Sequence, residues 1–166
     1  MKQLSIKPEL HAFDTCKAFA EEFKLGKGDL ILTNEYIYAP YFGQLGLECD
    51  VLYQEKYGIG EPSNHMAEMI CGDMKGEYKR IFAIGGGTII DICKVLALKN
   101  PVPVIDLYDN KDAIEKDKEL ILVPTTCGTG SEEPTLLFFL SLKETPRWAL
   151  RLTRCMLTRR FLFRSS

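Results

Sequence analysis

Histidine and arginine are scarce in this 166-residue chain, and their scarcity narrows its chemistry. His11 and His65 are the two histidines, and neither has a second histidine at metal-ligand spacing. Both read as surface or packing residues. Arg80 is the one arginine before Arg147. The formal net charge is −2, so no basic excess points to nucleic acid. No apolar run approaches membrane-span length, and the N-terminus lacks the basic-then-apolar layout of a signal peptide. There is no C-x-x-C pair. The six cysteines (Cys16, Cys49, Cys71, Cys93, Cys127, Cys155) are scattered, which suits reduced thiols better than a disulfide framework. Neither G-x-G-x-x-G nor the P-loop ending occurs. These absences lead us to expect a cytoplasmic protein with no nucleic-acid or membrane partner, of one domain or one domain plus an extension.

What the chain does have is a strand, a glycine turn and a helix start in one stretch, Arg80 to Lys94. Ile81 to Ile84 is the short apolar run of a strand covered on both faces. Gly85, Gly86 and Gly87 follow, so backbone N–H groups can approach an anion without side-chain obstruction. Thr88 can cap the next helix and offer a hydroxyl. A helix N-terminus favours phosphate through its unpaired N–H groups and its dipole. Taken alone, the glycines fit a ligand-free tight turn equally well.

Around that stretch, strands and helices alternate. Asp14 or Thr15 can cap a helix carrying Phe19, Ala20 and Phe23, which Gly26 or Gly28 ends. Asp29 to Thr33 reads as a buried strand, followed by a helix from Asn34 to about Leu45, with Pro40 placed awkwardly inside it. Asn34 suits either a ribose contact at a strand end or a plain helix cap. Glu48 to Tyr53 is a short strand and Tyr57 to Ser63 a loop. Ser63 caps a helix with a core-facing stripe of Met66, Met69, Ile70 and Met74. After the glycine turn, Ile89, Ile92, Cys93 and Leu96 mark the inner face of a helix running to about Leu98. Asp91 is expected in its first turn, paired with Lys94. Residues 101–118 are a mixed stretch, charged and loop-like from Asp109 to Glu119. Leu120 to Val123 is another strand, and Pro124-Thr125-Thr126-Cys127-Gly128-Thr129-Gly130-Ser131-Glu132 follows it. Buried strands alternating with helices imply a parallel α/β sheet. Two polar, glycine-containing loops after two strands imply one crevice at the strands' carboxyl ends.

The two motifs, Gly85-Gly86-Gly87-Thr88-Ile89-Ile90-Asp91-Ile92-Cys93-Lys94 and the stretch from Pro124 to Glu132, resemble those of the iron-containing alcohol dehydrogenase family, written GGGSxxDxAK and PTTxGTGSE. Thr88 stands for Ser and Cys93 for Ala. Leu25 to Asp29 and Tyr57 to Ser63 are similar to the branch that interconverts 4-hydroxybutyrate and succinate semialdehyde. The resemblance covers residues 1–132. It implies an α/β, Rossmann-like parallel sheet with flanking helices, to which full-length members add an all-helical metal domain. It implies that Gly85, Gly86, Gly87 and Thr88 bind the pyrophosphate of NAD, with Asp91 close by, and that Thr125 and Thr126 line the crevice. Asn34 takes the place where many members carry an Asp for the adenosine ribose, which weakens the preference for NAD over NADP. The family metal, iron or zinc, sits on an Asp and three His of the helical domain. No catalytic or metal-binding residue is therefore expected here. A small alcohol or aldehyde partner and a homo-oligomer are implied for a full-length form only. The other readings are a non-catalytic nucleotide-binding remnant and a glycerol dehydrogenase-like enzyme. The second motif argues against the latter.

Beyond Glu133 the text changes character. Seven basic residues and one acidic follow, against 14 basic and 22 acidic before. One reading is a basic-faced helix, with Trp148, Leu152 and Cys155 roughly helix-spaced. The other is a shifted reading frame. Joining the third base of each codon to the first two of the next permits T-K-M-G across Thr145 to Ala149 and Y-A-D-Q-A-V-L-I-P-E across Cys155 to Ser165, which resembles the family's own continuation. On that reading residues 133–166 are an out-of-frame tail, never selected to pack. The chain as it stands would then be inactive and prone to aggregate.

Overall fold

The computed structural model describes residues 9–109 and 114–126, together with the strands Leu136–Leu140, Arg147–Arg151 and Arg159–Phe163. The elements in order are β1 (Glu9–Phe13), α1 (Cys16–Phe23), β2 (Asp29–Thr33), α2 (Glu35–Tyr41), β3 (Asp50–Tyr53), α3 (Asn64–Asp73), β4 (Arg80–Gly85), α4 (Gly87–Leu96), α5 (Asp106–Asp109) and β5 (Glu119–Pro124), then the strands β6, β7 and β8 just given. Six strands form one sheet in the order β1-β8-β5-β4-β2-β3. Every pairing in it is parallel. β6 and β7 pair antiparallel apart from it.

The central strands are apolar throughout because both faces are covered. Their alternate residues point to opposite sides. Leu30, Leu32, Ile81, Ala83, Leu120 and Leu122 join Met66, Ala67 and Ile70 of α3 and most of α4. Ile31, Phe82, Ile84, Ile121 and Val123 join Phe19, Ala20 and Phe23 of α1 and Ile37 of α2. Phe19 and Phe82 meet edge to face at 6.0 Å, an arrangement aromatic quadrupoles favour. The result is the doubly covered parallel sheet that the alternation predicts.

Local signals act where expected with some exceptions. Thr15 caps α1, its hydroxyl accepting from the Ala18 amide at 3.1 Å. Ser63 caps α3 by accepting from Met66 N. The stripe on α3 is narrower than predicted: Met66 and Ile70 are buried, Met74 is partly buried and Met69 is exposed. Helix α2 stops at Tyr41, one residue past Pro40, and a 3-10 turn completes the stretch to Leu45. Proline has no N–H and its ring crowds the preceding turn, which shortens the helix. Beyond Glu133 the described segments are strands and not the basic-faced helix. β8 comes from the stretch expected to pack poorly, and its backbone lies between β1 and β5. Leu152 and Cys155 lie outside the described residues. Among the described residues no helix is long and apolar enough to cross a membrane.

Arg80 ties three elements at the amino end of the sheet. Its Nε and Nη2 each donate to the buried Asp29 carboxylate at 2.7 Å, and Nη1 donates to the Phe23 carbonyl at 2.9 Å. Asp29 Oδ2 also accepts from Gly26 N, which fixes the turn between α1 and β2. The bidentate fork needs arginine; a lysine offers one point charge. Arg80→Ala leaves a buried carboxylate without its cation. The chain should lose about 3 kcal/mol of unfolding free energy in urea, with Arg80→Lys recovering only part.

Candidate functional site

The sheet changes direction between β2 and β4. The chain leaves β2 for β3 on one side, then returns past β2 to β4 and continues to β5 on the other. Crevices for ligands form outside the carboxyl ends of strands at such a point. Asn34 follows β2 there, the glycine turn follows β4, and Thr125 and Thr126 follow β5.

Gly85 is the last residue of β4 and Gly86 is the N-cap of α4. A side chain on Gly85 would run into Ile89 Cδ1. A Cβ on Gly86 would stand 3.3 Å from Thr126 Oγ1. The Thr125 amide donates to the Gly85 carbonyl at 3.1 Å and Ile90 N to the Gly86 carbonyl at 3.1 Å. The two loops thus close on each other, and no side chain of Gly85, Gly86 or Gly87 stands beside the first amides of α4. Those amides, at Gly87, Thr88 and Ile89, are the ones an α-helix leaves without an intrahelical acceptor. The arrangement can hold an anion.

Two predicted details change. Thr88 is not the cap: the helix begins one residue earlier, and the Thr88 hydroxyl donates to the Gly60 carbonyl at 3.0 Å. Asp91 stands in the second turn of α4, because that turn count starts at Gly87. It is buried, and its Oδ1 accepts from Lys94 Nζ at 3.0 Å, the pairing that the spacing predicts. Lys94 is fully buried as well. Helix α4 is enclosed on all sides from Ile89 to Leu96, wider than the predicted inner face. Burial pushes the neighbouring Cys93 thiol well above its ordinary range, consistent with an inert packing residue.

Asn34 holds the N-cap position of α2, but its side chain makes no capping bond. Its amide donates instead to Glu55 Oε2 at 2.8 Å and Gln54 Oε1 at 3.1 Å. Glu55 Oε1 accepts from the Glu35 backbone amide at 2.6 Å, and Gln54 Nε2 donates to the Gly58 carbonyl. Sequence reasoning missed Gln54, Glu55 and Gly60. The available signal was the parallel neighbourhood of β2 and β3, which places whatever follows Tyr53 beside whatever follows Thr33. Thr125 and Thr126 are exposed at the crevice. Residues 127–132 of the second motif lie outside the described residues. Among the described residues no group of three or more His, Cys, Asp or Glu side chains could hold a metal ion. The described part therefore does not fit the family metal.

A parallel sheet with a glycine turn and a helix N-terminus at its switch point defines a nucleotide-binding α/β domain. Residues 11–150 match the iron-containing alcohol dehydrogenase family, and the chain belongs to that family. It is 50% identical over 133 residues to 4-hydroxybutyrate dehydrogenase of Clostridium kluyveri, a match covering 80% of this chain and 36% of that protein. The chain thus spans about a third of the length of this relative. In three dimensions it is similar to sulfoacetaldehyde reductase from Bifidobacterium kashiwanohense in complex with NAD+, with a TM-score of 0.75 at 16% identity, covering 98% of this chain and 46% of that one. An iron-containing alcohol dehydrogenase from Thermotoga maritima gives a TM-score of 0.73 at 14% identity, covering 97% of this chain and 47% of that one.

The buried pair in α4 yields a stability test. Lys94→Met removes the cation at 3.0 Å from a buried carboxylate and should cost about 3–5 kcal/mol. The double variant Asp91→Leu/Lys94→Met removes both charges and should be more stable than Lys94→Met alone in denaturant titration.

Proposed function

We propose that residues 1–132 are the NAD-binding half of a metal-dependent alcohol dehydrogenase acting between 4-hydroxybutyrate and succinate semialdehyde. The carrying observation is the glycine turn: Gly86 at the N-cap of α4, packed against Thr126, with Gly87 and Thr88 partly exposed at the start of the helix. In this reading Gly85, Gly86, Gly87 and Thr88 hold the pyrophosphate. Thr125 and Thr126 wall the crevice, and Asn34 marks the adenosine-ribose end. Asp91 acts from beneath, by fixing α4 with Lys94. A nicotinamide supplies hydride transfer when bound, and the chain's own part is to bind and orient it. The substrate reading rests on the 50% identity to the Clostridium kluyveri enzyme. Metal, substrate pocket and homo-oligomer contacts belong to a full-length form.

The tail supports a second, separate proposal, that residues 133–166 are read out of frame. Its support is the family-like text that the neighbouring frame permits. Sequencing the source DNA across the codons for Ser131 to Thr135 tests it: an extra base there restores the family-like text and supports the proposal, and the text as given removes that support.

Cofactor binding has its own test. Titrating the 166-residue chain with NADH and following nicotinamide fluorescence should give saturable binding. Gly86→Asp, which puts a carboxylate where the pyrophosphate sits, should abolish it, and Gly86→Ala should weaken it less. Unchanged affinity in Gly86→Asp overturns the assignment of the turn.

A further inference from the structure

We propose that Glu55 selects the dinucleotide, favouring a free 2′-hydroxyl on the adenosine ribose over a 2′-phosphate. The inference rests on the NAD-binding reading above and deepens it. Dinucleotide sites of this architecture commonly place an acidic side chain near the carboxyl end of the second strand to accept from the ribose hydroxyls. Here that place holds Asn34, an amide. The structure brings a carboxylate to it from the next strand. β3 runs parallel beside β2 with Thr33 opposite Tyr53, so the segments after the two strands emerge together. Asn34 Nδ2 donates to Glu55 Oε2 at 2.8 Å and Glu35 N donates to Oε1 at 2.6 Å. The two carboxylate oxygens thus have separate donors, and with the Glu55 backbone amide added the carboxylate still has acceptor capacity for a further donor. A vicinal diol can supply that donor, and a phosphate cannot.

The same contacts explain the asparagine. An aspartate at 34 would have no N–H to give Glu55 and would face it with like charge. Glu55 has to be an anion for this role. Some desolvation works against its charge, but the Glu35 amide, its own amide, Asn34 and Lys56 outweigh that and hold its carboxyl below the ordinary range. The local balance is acidic: Glu35 and Glu55 stand against Lys56, whose ammonium lies over the Tyr53 ring at 5.3 Å. A 2′-phosphate entering here meets two carboxylates and one lysine. Gln54 keeps the Glu55 segment in place, since its amide accepts from Asn34 and donates to Gly58 O and Met66 Sδ.

The experiment is a pair of fluorescence titrations, NADH and NADPH, on the 166-residue wild-type chain and on Glu55→Gln. The wild type should bind NADH more tightly. Glu55→Gln should raise NADPH affinity roughly two- to fivefold, the scale of removing one solvent-screened like charge, and change NADH affinity less. Misfolding cannot produce that gain. Asn34→Asp, which adds charge and removes the donor, should lower NADPH binding below that of the wild type. If NADH binds and the NADH-to-NADPH ratio is unmoved in Glu55→Gln, the role of Glu55 is overturned while the cofactor reading stands. If the wild type binds neither dinucleotide, both fall.

Discussion

The arrangement depends on β4 being paired along both edges and covered on both faces. β2 and β5 hydrogen-bond to it from either side, so its direction and height are fixed by ten register pairs. Its inward residues leave no room for adjustment, because Ile81, Phe82, Ala83 and Ile84 are all buried. A strand held so firmly delivers its last residue, Gly85, to one place. The turn that follows can therefore be tight, and the helix after it starts against the neighbouring strand's exit at Thr125 and Thr126. Site geometry is inherited from sheet geometry.

The periphery is anchored differently. At the amino end of the sheet, charge joins the elements: Arg80 gathers Asp29 and the end of α1. At the carboxyl end, neutral amides do so through Asn34 and Gln54, with Glu55 as the one carboxylate in their hydrogen-bond network. The loop after β3 is tied to the glycine turn by the Thr88 hydroxyl on Gly60. Gly60 takes φ 103°, a conformation that other residues adopt at a cost, so the contact depends on that glycine.

Much of this was legible in the sequence. Short apolar runs at 30–32, 81–84 and 120–123 announce strands covered twice, and the glycines after Ile84 announce a turn without side chains. Both follow from local chemistry and survive folding unchanged. The Asp91–Lys94 pair was legible from helical spacing. What was hidden depended on neighbours distant in sequence. Nothing in Asn34 itself says that it caps no helix and instead serves Gln54 and Glu55, 20 and 21 residues away. The full enclosure of α4 was hidden too, since Ile90, Asp91, Lys94 and Val95 lie outside a single helical stripe. The helix cap stands at Gly86, two positions before Thr88, which moves Asp91 from the first turn into the second, an offset that sequence patterns do not resolve.

The Asp91–Lys94 pair has an electrostatic consequence at the turn. The first amides of α4 project a positive potential outward. A lone carboxylate one turn deeper, in low-dielectric surroundings, would cancel much of it. With the Lys94 ammonium 3.0 Å away and both groups buried, the two sum to no net charge. What remains of them at the mouth of the crevice is a short-range dipole whose field dies away faster than that of the helix end. The helix therefore presents its positive pole to an incoming anion almost undiminished, although an acidic residue lies directly behind it.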